Sequence, residues 1–571
     1  MLNGSKGHGG NLLTRRDIIA DALKMMIVGN LLPVRRSQAS AEVASLRAIN
    51  VMNFIRAEEP RENVDLIEPV RRQMALIKAR KLPATWLLQY DALVAGPYVE
   101  LLRNEMPADH EIGIWFEMNR DICRDAGIAW RGNPSWEWDY HVPVAYAIGY
   151  TPDERRKLAD TAMATFKRII GHDAKSIACW NLDATSIAHL SDHYDIDAFA
   201  NCRDQLATDG FTIWGAPLAG YYPSRENAWS PALEKRNQIS TPMFRLLGQD
   251  PVYYYDNRLP YPDTMEPVWP SGQSETFVGR FLNMIADAPT QSLAYAQLGQ
   301  ENSFGWPKMR KAYPMQMDKL SQMRGEGGLI VETMGETGRR FKSTFGSTPT
   351  QAQVMLEDPF GNVIAPERTV WYQSRFLRAN LHFRGDQFYL RDLHVYNDRY
   401  PELYLKQPVR QQHDIKQCML AVLDGYHWSD DEVRSGHAGL RAMGRFVVVG
   451  PDGQNTPLAM AGLPTASERG SILRTKVPVS GGGNFVAVFR EREIAFSLIG
   501  APSHSRLGLM FEWVTDRCAL KEVYADRLDY RFRDFNYSVR VANGVASKKA
   551  DGVKIIADRR GSLRLLMAQN V

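Results

Sequence analysis

Short apolar runs alternate with amphipathic helical stretches between about residues 48 and 340, and this alternation constrains the fold most. Strands that alternate with helices predict βαβ units and a parallel sheet. Seven or eight such units over this length predict an α/β fold, an irregular (β/α)7-8 barrel. The predicted strands are Ile49–Ile55, Ala84–Tyr90, Glu111–Phe116, Ser176–Trp180, Gly210–Trp214, Met243–Leu247, Leu293–Leu298 and Leu329–Thr333.

Two helices between these strands are predicted over Asn63–Arg80 and Pro152–Ile170. The second follows Thr151 and begins with a proline and two acidic residues, which is typical of a helix N-terminus. The barrel, predicted to be the catalytic part, is expected over residues 43–345.

After about residue 350 the pattern changes from strands that alternate with helices to strands in close succession. Arg445–Gly450 and Asn455–Ala459 flank a Pro-Asp-Gly-Gln turn, which predicts a hairpin. Short strands joined by Gly- and Pro-rich turns predict a C-terminal antiparallel β-sandwich, an accessory domain over residues 346–571. Further strands are predicted at Phe485–Phe489, Ile494–Leu498 and Ser562–Met567.

Residues 1–42 have the pattern of an export signal. Arg15-Arg16 precedes an apolar stretch over 22–32, and a run of small residues follows at 37–41. This arrangement is typical of a twin-arginine-like signal peptide and predicts a periplasmic or extracellular bacterial protein. The alternative is an amphipathic N-terminal helix. No clean apolar run of about 18 residues occurs, so we expect no membrane association after signal removal.

Charge and cysteine content exclude several classes of protein. The formal net charge of +4 over 571 residues does not indicate a nucleic-acid partner. The five cysteines include no Cys-x-x-Cys pair, which argues against a disulfide framework and a structural zinc site. We also predict no metal and no cofactor.

Tryptophan is concentrated in the first part of the chain, where ten of the 13 residues precede residue 310. One interpretation is that they fill a large core, and the other is an aromatic-lined cleft on which sugar rings stack. The second is favoured by Trp115, Trp180, Trp214 and Trp306, which fall at or just after predicted strand ends.

Carboxylates follow most of the predicted strands, where a barrel of this type carries its active site. Buried carboxylates are costly unless they are paired or used, and hydrolysis of a glycosidic bond needs two of them. For each one the structural alternative is a helix cap, as for Asp183, or a salt bridge, as for Glu58 or Glu59 with Arg56 or Arg61. The catalytic candidates are Glu58, Glu59, Asp91, Glu117, Asp183 and Glu301.

The stretch from Trp130 to His141 holds four aromatic residues, two acids, an arginine and a histidine. Such clusters typically line a binding groove. His141 is either an acid or base, because imidazole titrates near neutral pH, or a structural histidine. Arg56, Arg61 and Arg131 indicate an acidic sugar, because arginine binds carboxylates with two hydrogen bonds. The substrate-binding candidates are Arg56, Trp115, Trp138, His141, Trp180, Trp214 and Trp306.

Three stretches match a known pattern: Pro83-Ala84-Thr85-Trp86-Leu87-Leu88, His110-Glu111-Ile112-Gly113-Ile114, and Asp209-Gly210-Phe211-Thr212-Ile213-Trp214. They resemble strands of the polysaccharide deacetylase (NodB-like) and related glycoside hydrolase barrels. The resemblance covers about residues 48–340. It implies a barrel fold and carbohydrate chemistry.

The metal-binding motifs of that family are missing here. The family has an Asp at the end of the first strand and a His-x-x-x-His pair after the third. In this sequence Glu58-Glu59 stands at the first position and Trp115-Phe116-Glu117-Met118-Asn119 at the second. Cys179–Asp183 replaces the family's Arg-Pro-Pro-type segment.

The first hypothesis is therefore an exported glycoside hydrolase that cleaves an oligosaccharide or polysaccharide, acidic sugars included, with paired carboxylates. One alternative is a metal-dependent polysaccharide deacetylase-like hydrolase with ligands among Asp91, His110, Glu117 and His141. The other is a non-catalytic glycan-binding protein, because the fold does not determine the function.

Overall fold

A computed structural model gives the fold of the chain. It describes residues 45–208, 210–247, 250–252, 263–326, 329–364, 366–412, 415–425, 443–502, 505–512, 519–550 and 552–567. The predicted export segment, Trp428, Trp513 and Cys518 lie outside these residues. Residues 44–571 form one compact unit.

Parallel strands form a nearly closed barrel, in the order β9-β1-β2-β3-β4-β5-β8, with the short β10 also pairing with β1. Strands β8 and β9 meet where N of Leu247 donates to Oε1 of Gln297 at 2.9 Å. The predicted barrel is therefore confirmed. Its strands are β1 (Leu46–Ile55), β2 (Thr85–Leu88), β3 (Glu111–Trp115), β4 (Ser176–Ala178), β5 (Ala198–Cys202), β8 (Met243–Leu246), β9 (Leu293–Leu298) and β10 (Ile330–Val331).

The helices follow the barrel strands along the chain. They are α1 (Ile67–Ala79), α2 (Tyr90–Val94), α3 (Gly96–Glu105), α4 (Arg120–Asp125), α5 (Val142–Ala145), α6 (Pro152–Ile170), α7 (Ala184–His193), α8 (Pro270–Gln273), α9 (Glu275–Asp287), α10 (Trp306–Met309), α11 (Ala312–Gly325) and α12 (Met334–Thr344), with 3-10 turns at Ala147–Gly149, Lys235–Asn237 and Asn302–Phe304. The start predicted for α6 is confirmed, because Thr151 and Glu154 form a capping box.

The prediction of the fifth barrel strand was wrong. The stretch expected there forms β7 (Phe211–Trp214), which lies in a small separate sheet with β6 (Gln205–Thr208) and β15 (Ile415–Cys418). The barrel position belongs to β5, which pairs with β4 and β8. Its sequence, Ala-Phe-Ala-Asn-Cys, is poor in β-branched residues and gives little strand signal.

The second half of the chain contains two large antiparallel sheets, so the predicted β-sandwich is confirmed. The ten-stranded sheet runs β11-β12-β13-β14-β17-β23-β28-β27, with β16 on β14 and β18 on β17. Its strands are β11 (Gln351–Met355), β12 (Glu367–Gln373), β13 (Leu377–Arg384), β14 (Gln387–Val395), β16 (Leu420–Asp424), β17 (Gly444–Val449), β18 (Asn455–Pro457), β23 (Arg506–Glu512), β27 (Gly544–Lys549) and β28 (Gly552–Ala557).

The eight-stranded sheet runs β19-β20-β21-β22-β29-β26-β25-β24. Its strands are β19 (Thr465–Arg469), β20 (Ile472–Pro478), β21 (Asn484–Arg490), β22 (Glu493–Ile499), β24 (Leu520–Tyr524), β25 (Arg527–Phe532), β26 (Phe535–Ala542) and β29 (Ser562–Met567). The rings of Phe388 and Phe446 from one sheet pack against Phe485 and Phe496 from the other. This aromatic cluster forms part of the sandwich core.

The described cysteines are all buried: Cys123, Cys179, Cys202 and Cys418. Within the described residues, no helix is both long and apolar enough to cross a membrane.

Candidate functional site

Three carboxylates converge on Arg56, the residue that directly follows β1. Its Nη2 lies 3.3 Å from Oε2 of Glu117 and 3.1 Å from Oε2 of Glu301. Its Nη1 lies 3.6 Å from Oε2 of Glu59. Glu117 follows β3 and Glu301 follows β9, so this cluster lies at the C-terminal ends of the barrel strands, which we call the barrel mouth.

The three carboxylates and the guanidinium stabilise one another's charges. Burial alone lowers the pKa of Arg56, but Glu117, Glu301 and Glu59 outweigh it, so its pKa is raised. Burial also opposes ionisation of Glu59, but hydrogen bonds from Arg61 and the charge of Arg56 lower its pKa. Arg61 donates to both oxygens of Glu59 at 2.8 Å. The predicted pairing of Glu59 with Arg56 and Arg61 is therefore present.

Trp138 covers this cluster from the predicted aromatic loop. The centre of its ring lies 4.1 Å from Cζ of Arg56 and 5.2 Å from Cζ of Arg61. His141, in the same loop, is partly exposed, and its Nδ1 lies 2.6 Å from Oδ1 of Asp139. The loop therefore contributes Trp138 to the mouth, and Asp139 orients His141 at its rim.

Asp91 lies beside the Arg56 cluster and is buried. Its carboxylate accepts hydrogen bonds from the backbone N–H groups of Ala57, Glu58 and Ala92. Burial nevertheless dominates and raises its pKa to about 7, although these bonds and Arg56 oppose the shift. An acid with a pKa near neutrality can both give and take a proton at physiological pH.

Glu266 is a second buried acid of this kind, and it is not among the residues predicted from the sequence. It accepts hydrogen bonds from Gln300 at 2.9 Å, Trp269 at 3.1 Å and Thr264 at 3.0 Å. Burial and the nearby charge of Glu301 raise its pKa to about 7. Residues that directly follow barrel strands are expected at the mouth. Glu266 does not directly follow a barrel strand, so its sequence position does not predict that it lies there. Only its contact with Gln300, just after β9, brings it to the mouth.

Several buried N–H donors at the mouth have no acceptor within the described part of the chain. They are Nε1 of Trp115, Nε1 of Trp138, Nδ2 of Asn119 and Nδ2 of Asn181. Buried donors are normally paired, so a group without a partner needs an explanation. Trp115 also stacks on Phe54, with Trp180 packed edge-on against both rings. Substrate atoms bound at the mouth are natural acceptors for these donors.

The residues of the barrel mouth do not fit a metal ion. The carboxylates of Glu59, Glu117 and Glu301 already surround a guanidinium, which supplies the positive charge that a metal would bring. His110 precedes β3 whereas Glu117 follows it, so the two lie at opposite ends of a strand of 5 residues. Such a strand is roughly 17 Å long at about 3.3 Å per residue. Nδ1 of His110 also accepts from Nε1 of Trp86 at 3.0 Å.

Among the described residues, the only grouping with the proximity needed for a metal is Asp392, His394 and Asp424, in β14 and β16. This grouping is already an ion network. Arg378 donates to both oxygens of Asp392, and Nδ1 of His394 lies 2.9 Å from Oδ1 of Asp392. Burial lowers the pKa of His394, but Asp392 and Asp424 outweigh it and raise the pKa to about 9.

Four predicted residues lie outside the Arg56 cluster. Asp183 caps α7 and pairs with Arg155, which was its structural alternative. Glu58 is exposed, because its neighbour Glu59 takes the inward position. Trp214 ends β7 instead of a barrel strand, and its Nε1 donates to Asp424 at 3.0 Å. Trp306 begins α10 and packs against the core.

Comparison with known proteins gives likenesses in structure. No family model and no curated protein matches the sequence. A protein of Parabacteroides distasonis described as a glycoside hydrolase/deacetylase matches 66% of this chain and 91% of its own length, at 15% identity and a TM-score of 0.48. One of Mycobacterium smegmatis described as a polysaccharide deacetylase matches 55% of this chain and 96% of its own, at 11% identity and a TM-score of 0.34.

A family 4 acetyl xylan esterase of Clostridium thermocellum, in complex with cobalt, matches 50% of this chain and 87% of its own length. Its identity is 10% and its TM-score 0.22. All three TM-scores are below 0.5, and the barrel rests on its own strand pairing. The chain is thus similar in structure to deacetylase-like barrels.

Proposed function

We propose that this protein is a hydrolase that acts on carbohydrate, with the barrel mouth as its active site. The observation that carries the proposal is the pair of buried acids, Asp91 and Glu266, whose pKa values are raised to about 7 beside the carboxylates that Arg56 holds. Hydrolysis needs one group that takes a proton from water and one that gives a proton to the leaving atom. The mouth contains candidates for both roles.

Removal of an acyl group from a sugar is the reaction that we favour. When water attacks an acyl carbon, the carbonyl oxygen becomes an oxyanion, which donors placed in advance stabilise. The unpartnered N–H groups of Trp138 and Asn119 are such donors, next to Arg56. Glu117 is our candidate for the base that takes the proton from water, and Asp91 for the acid that protonates the leaving oxygen or nitrogen.

Cleavage of a glycosidic bond is the second candidate. Oxygens of Glu117 and Glu301 lie within 3.3 Å of the same nitrogen of Arg56, so these oxygens are at most roughly 6.5 Å apart, close to the spacings that glycosidases use. In this reaction Glu266 is our candidate for the acid, because its pKa is raised and Gln300 holds it at the mouth.

The partner that we propose is an oligosaccharide or polysaccharide, and the location that we propose is the periplasm or the cell exterior. The cluster of aromatic rings at the mouth supports a sugar ligand, because flat apolar sugar faces pack on such rings. It consists of Trp115, Trp138 and Trp180, of which Trp180 is the most accessible, at 9% exposed. The Arg-Arg pair before the apolar stretch supports the location.

The test measures two products from acetylated polysaccharides, with uronic-acid-containing substrates included. Release of acetate with no new reducing ends supports acyl removal, whereas new reducing ends support glycosidic cleavage. The Glu117→Gln variant is expected to lower kcat by about 100-fold or more, the usual effect of losing a general base. Glu68→Gln, an exposed change on α1, is the matched control and is expected to leave kcat unchanged.

The reaction is expected to continue in the presence of a chelator, because Arg56 already occupies the centre of the carboxylates. Loss of activity on chelation, with recovery on adding zinc, would contradict the proposed site. A folded protein that binds these glycans and releases neither product supports the non-catalytic alternative instead.

A further inference from the structure

Arg245 is a buried arginine on the other side of the barrel. It lies in β8, opposite Asn201 of β5. Its neighbour Phe244 packs against Phe341 of α12, outside the sheet. Successive side chains of a strand point to opposite faces, so Arg245 points into the barrel interior. It is the third of the four residues of β8 and thus lies near the mouth.

The guanidinium of Arg245 makes one long hydrogen bond within the described structure. Its Nη1 lies 3.4 Å from the hydroxyl of Tyr221, and that hydroxyl donates its own hydrogen to the carbonyl of Ala228 at 2.7 Å. Its Nε and Nη2 are buried and have no acceptor among the described residues. No described carboxylate forms an ion pair with it.

The ring of Trp229 lies against this guanidinium, with its centre 5.1 Å from Cζ of Arg245. Nε1 of Trp229 is also buried and has no acceptor within the described ranges. Three buried donor nitrogens, two from Arg245 and one from Trp229, are therefore grouped without an acceptor among the described residues. They belong to one small region, which we call the Arg245 site.

Other buried arginines show what the fold normally does with such a charge. Arg155 pairs with Asp183, and Arg378 pairs with both Asp204 and Asp392. A buried charge that lacks a partner is destabilising, and this accounts for most of the effect of breaking a buried ion pair. A site that retains such a charge is explained if an anion from outside the chain binds there.

The direction of the free N–H groups indicates the kind of anion. Nε–H and Nη2–H of one guanidinium point the same way, and this edge matches the two oxygens of a carboxylate. Nε1 of Trp229, whose ring lies against this guanidinium, is a third donor. We propose that Arg245 and Trp229 form a binding site for a carboxylate in the barrel interior.

The surrounding charges agree with an anionic ligand. Burial and repulsion from Arg245 and Arg378 lower the pKa of Arg203 to about 10, although Asp250 and Asp204 oppose this shift. Arg203 follows β5 directly, so a second arginine lies at the end of the neighbouring strand. An anion bound at Arg245 reduces this repulsion.

The carboxylate can come from two sources. One is an acidic sugar unit of the substrate, such as a uronic acid, and the other is a small free carboxylic acid such as acetate. Only this question of source rests on the proposed function. The binding site itself does not require that the protein is an enzyme.

Three arginines were predicted from the sequence to bind an acidic sugar: Arg56, Arg61 and Arg131. All three already have partners within the protein. Arg56 and Arg61 pair with glutamates of the mouth, and Arg131 pairs with Glu154 and the carbonyl of Gly149. We therefore assign the binding of an acidic ligand to Arg245 and not to these three residues.

The test is calorimetric titration and thermal unfolding of the full chain in low-chloride buffer, with glucuronate, acetate, glucose and chloride as separate probes. Wild-type protein is expected to show a saturable rise in Tm with glucuronate and none with glucose. Arg245→Met is expected to weaken carboxylate binding by more than about 100-fold, because two charge-assisted hydrogen bonds are lost. Arg72→Gln, an exposed change on α1, is the matched control.

A second variant keeps the test decisive if Arg245→Met does not fold. Trp229→Phe keeps the ring and removes Nε1, and it is expected to weaken binding by roughly 5–10-fold, the loss of one hydrogen bond. Tighter binding of glucuronate than of acetate identifies the sugar as the source, and equal binding identifies the free acid.

The proposal is overturned if wild-type protein does not respond to either carboxylate, if Arg245→Met responds equally, or if chloride has the same effect at the same concentration. It is also overturned if ligand-free Arg245→Met unfolds well below wild type, since that result shows a partner for Arg245 within the chain. A protein that binds glucuronate at Arg245 but hydrolyses no glycan refutes the proposed function and leaves this site standing.

Discussion

Two buried arginines at the barrel mouth, Arg56 and Arg245, have opposite surroundings. Arg56 is 2% exposed and is encircled by Glu59, Glu117 and Glu301. Arg245 is 1% exposed and forms no ion pair with a carboxylate of the described residues. At Arg56, carboxylates of the chain itself offset the cost of burying a charge. At Arg245 we assign this role to a bound ligand.

This difference divides the barrel mouth into an acidic side and a basic side. The acidic side, around Arg56, contains the groups suited to proton transfer, Asp91 and Glu266. The basic side, around Arg245 and Arg203, contains the groups suited to holding an anion. A substrate with a carboxylate some distance from its labile bond matches both sides at once.

The largest expected effect is on the acidic side. Arg56→Met removes the cation that the buried carboxylates of Glu117 and Glu301 share, and we expect it to lower the free energy of unfolding by about 3–5 kcal/mol. Denaturant unfolding of the variant beside wild type measures this loss. Arg72→Gln serves again as the exposed control. If Arg56→Met is as stable as wild type, the carboxylates are not held by Arg56 and the comparison fails.

The next effect is a pH dependence that Asp91 imposes. Its pKa is raised from 3.8 to about 7 in the folded protein, so the folded state binds the proton more tightly than the unfolded state. The stability from this group is present below about pH 4 and is lost as the pH rises through 7, at most about 4 kcal/mol.

The variant Asp91→Asn is therefore expected to lose less stability than wild type between pH 4.5 and 7.5, as measured by Tm across that range. Asp153→Asn, at an exposed position in the first turn of α6, is the control and should keep the wild-type slope. A slope in Asp91→Asn equal to that of wild type would show that Asp91 titrates normally.

The smallest effect is expected at the rim. Arg61 holds Glu59 but is 39% exposed, so water screens its charge. Arg61→Gln is expected to lower the free energy of unfolding by about 1 kcal/mol or less. Denaturant unfolding checks this value. A loss as large as that of Arg56→Met would mean that burial does not separate the two arginines.

Much of the barrel could be predicted from hydrophobic patterns. Strands β1 to β4, β8 and β9 were found because each is a short apolar run that precedes or follows an amphipathic helix. The hairpin of β17 and β18 was found from its turn residues. Strand β5 was missed because alanine and asparagine within it give no strand signal, and β7 was taken in its place.

The acidic side of the mouth could be predicted in part by a rule of position. Residues that follow parallel strands meet at one edge, so Glu59, Asp91, Glu117 and Glu301 could be grouped before any coordinates were known. Glu266 could not be grouped in this way. It reaches the mouth through a hydrogen bond from Gln300, a residue 34 positions away.

The sequence by itself therefore determined the barrel, the β-sandwich and most of the carboxylates around Arg56, because periodicity and strand ends are local properties of a chain. Only the tertiary structure decided which charges are paired. Whether a buried arginine meets carboxylates, as Arg56 does, or the ring of Trp229 and the hydroxyl of Tyr221, as Arg245 does, depends on contacts between distant segments. Burial makes an unpaired charge costly. The pairing of charges by tertiary contacts therefore also determines where the acidic and basic sides of the site lie.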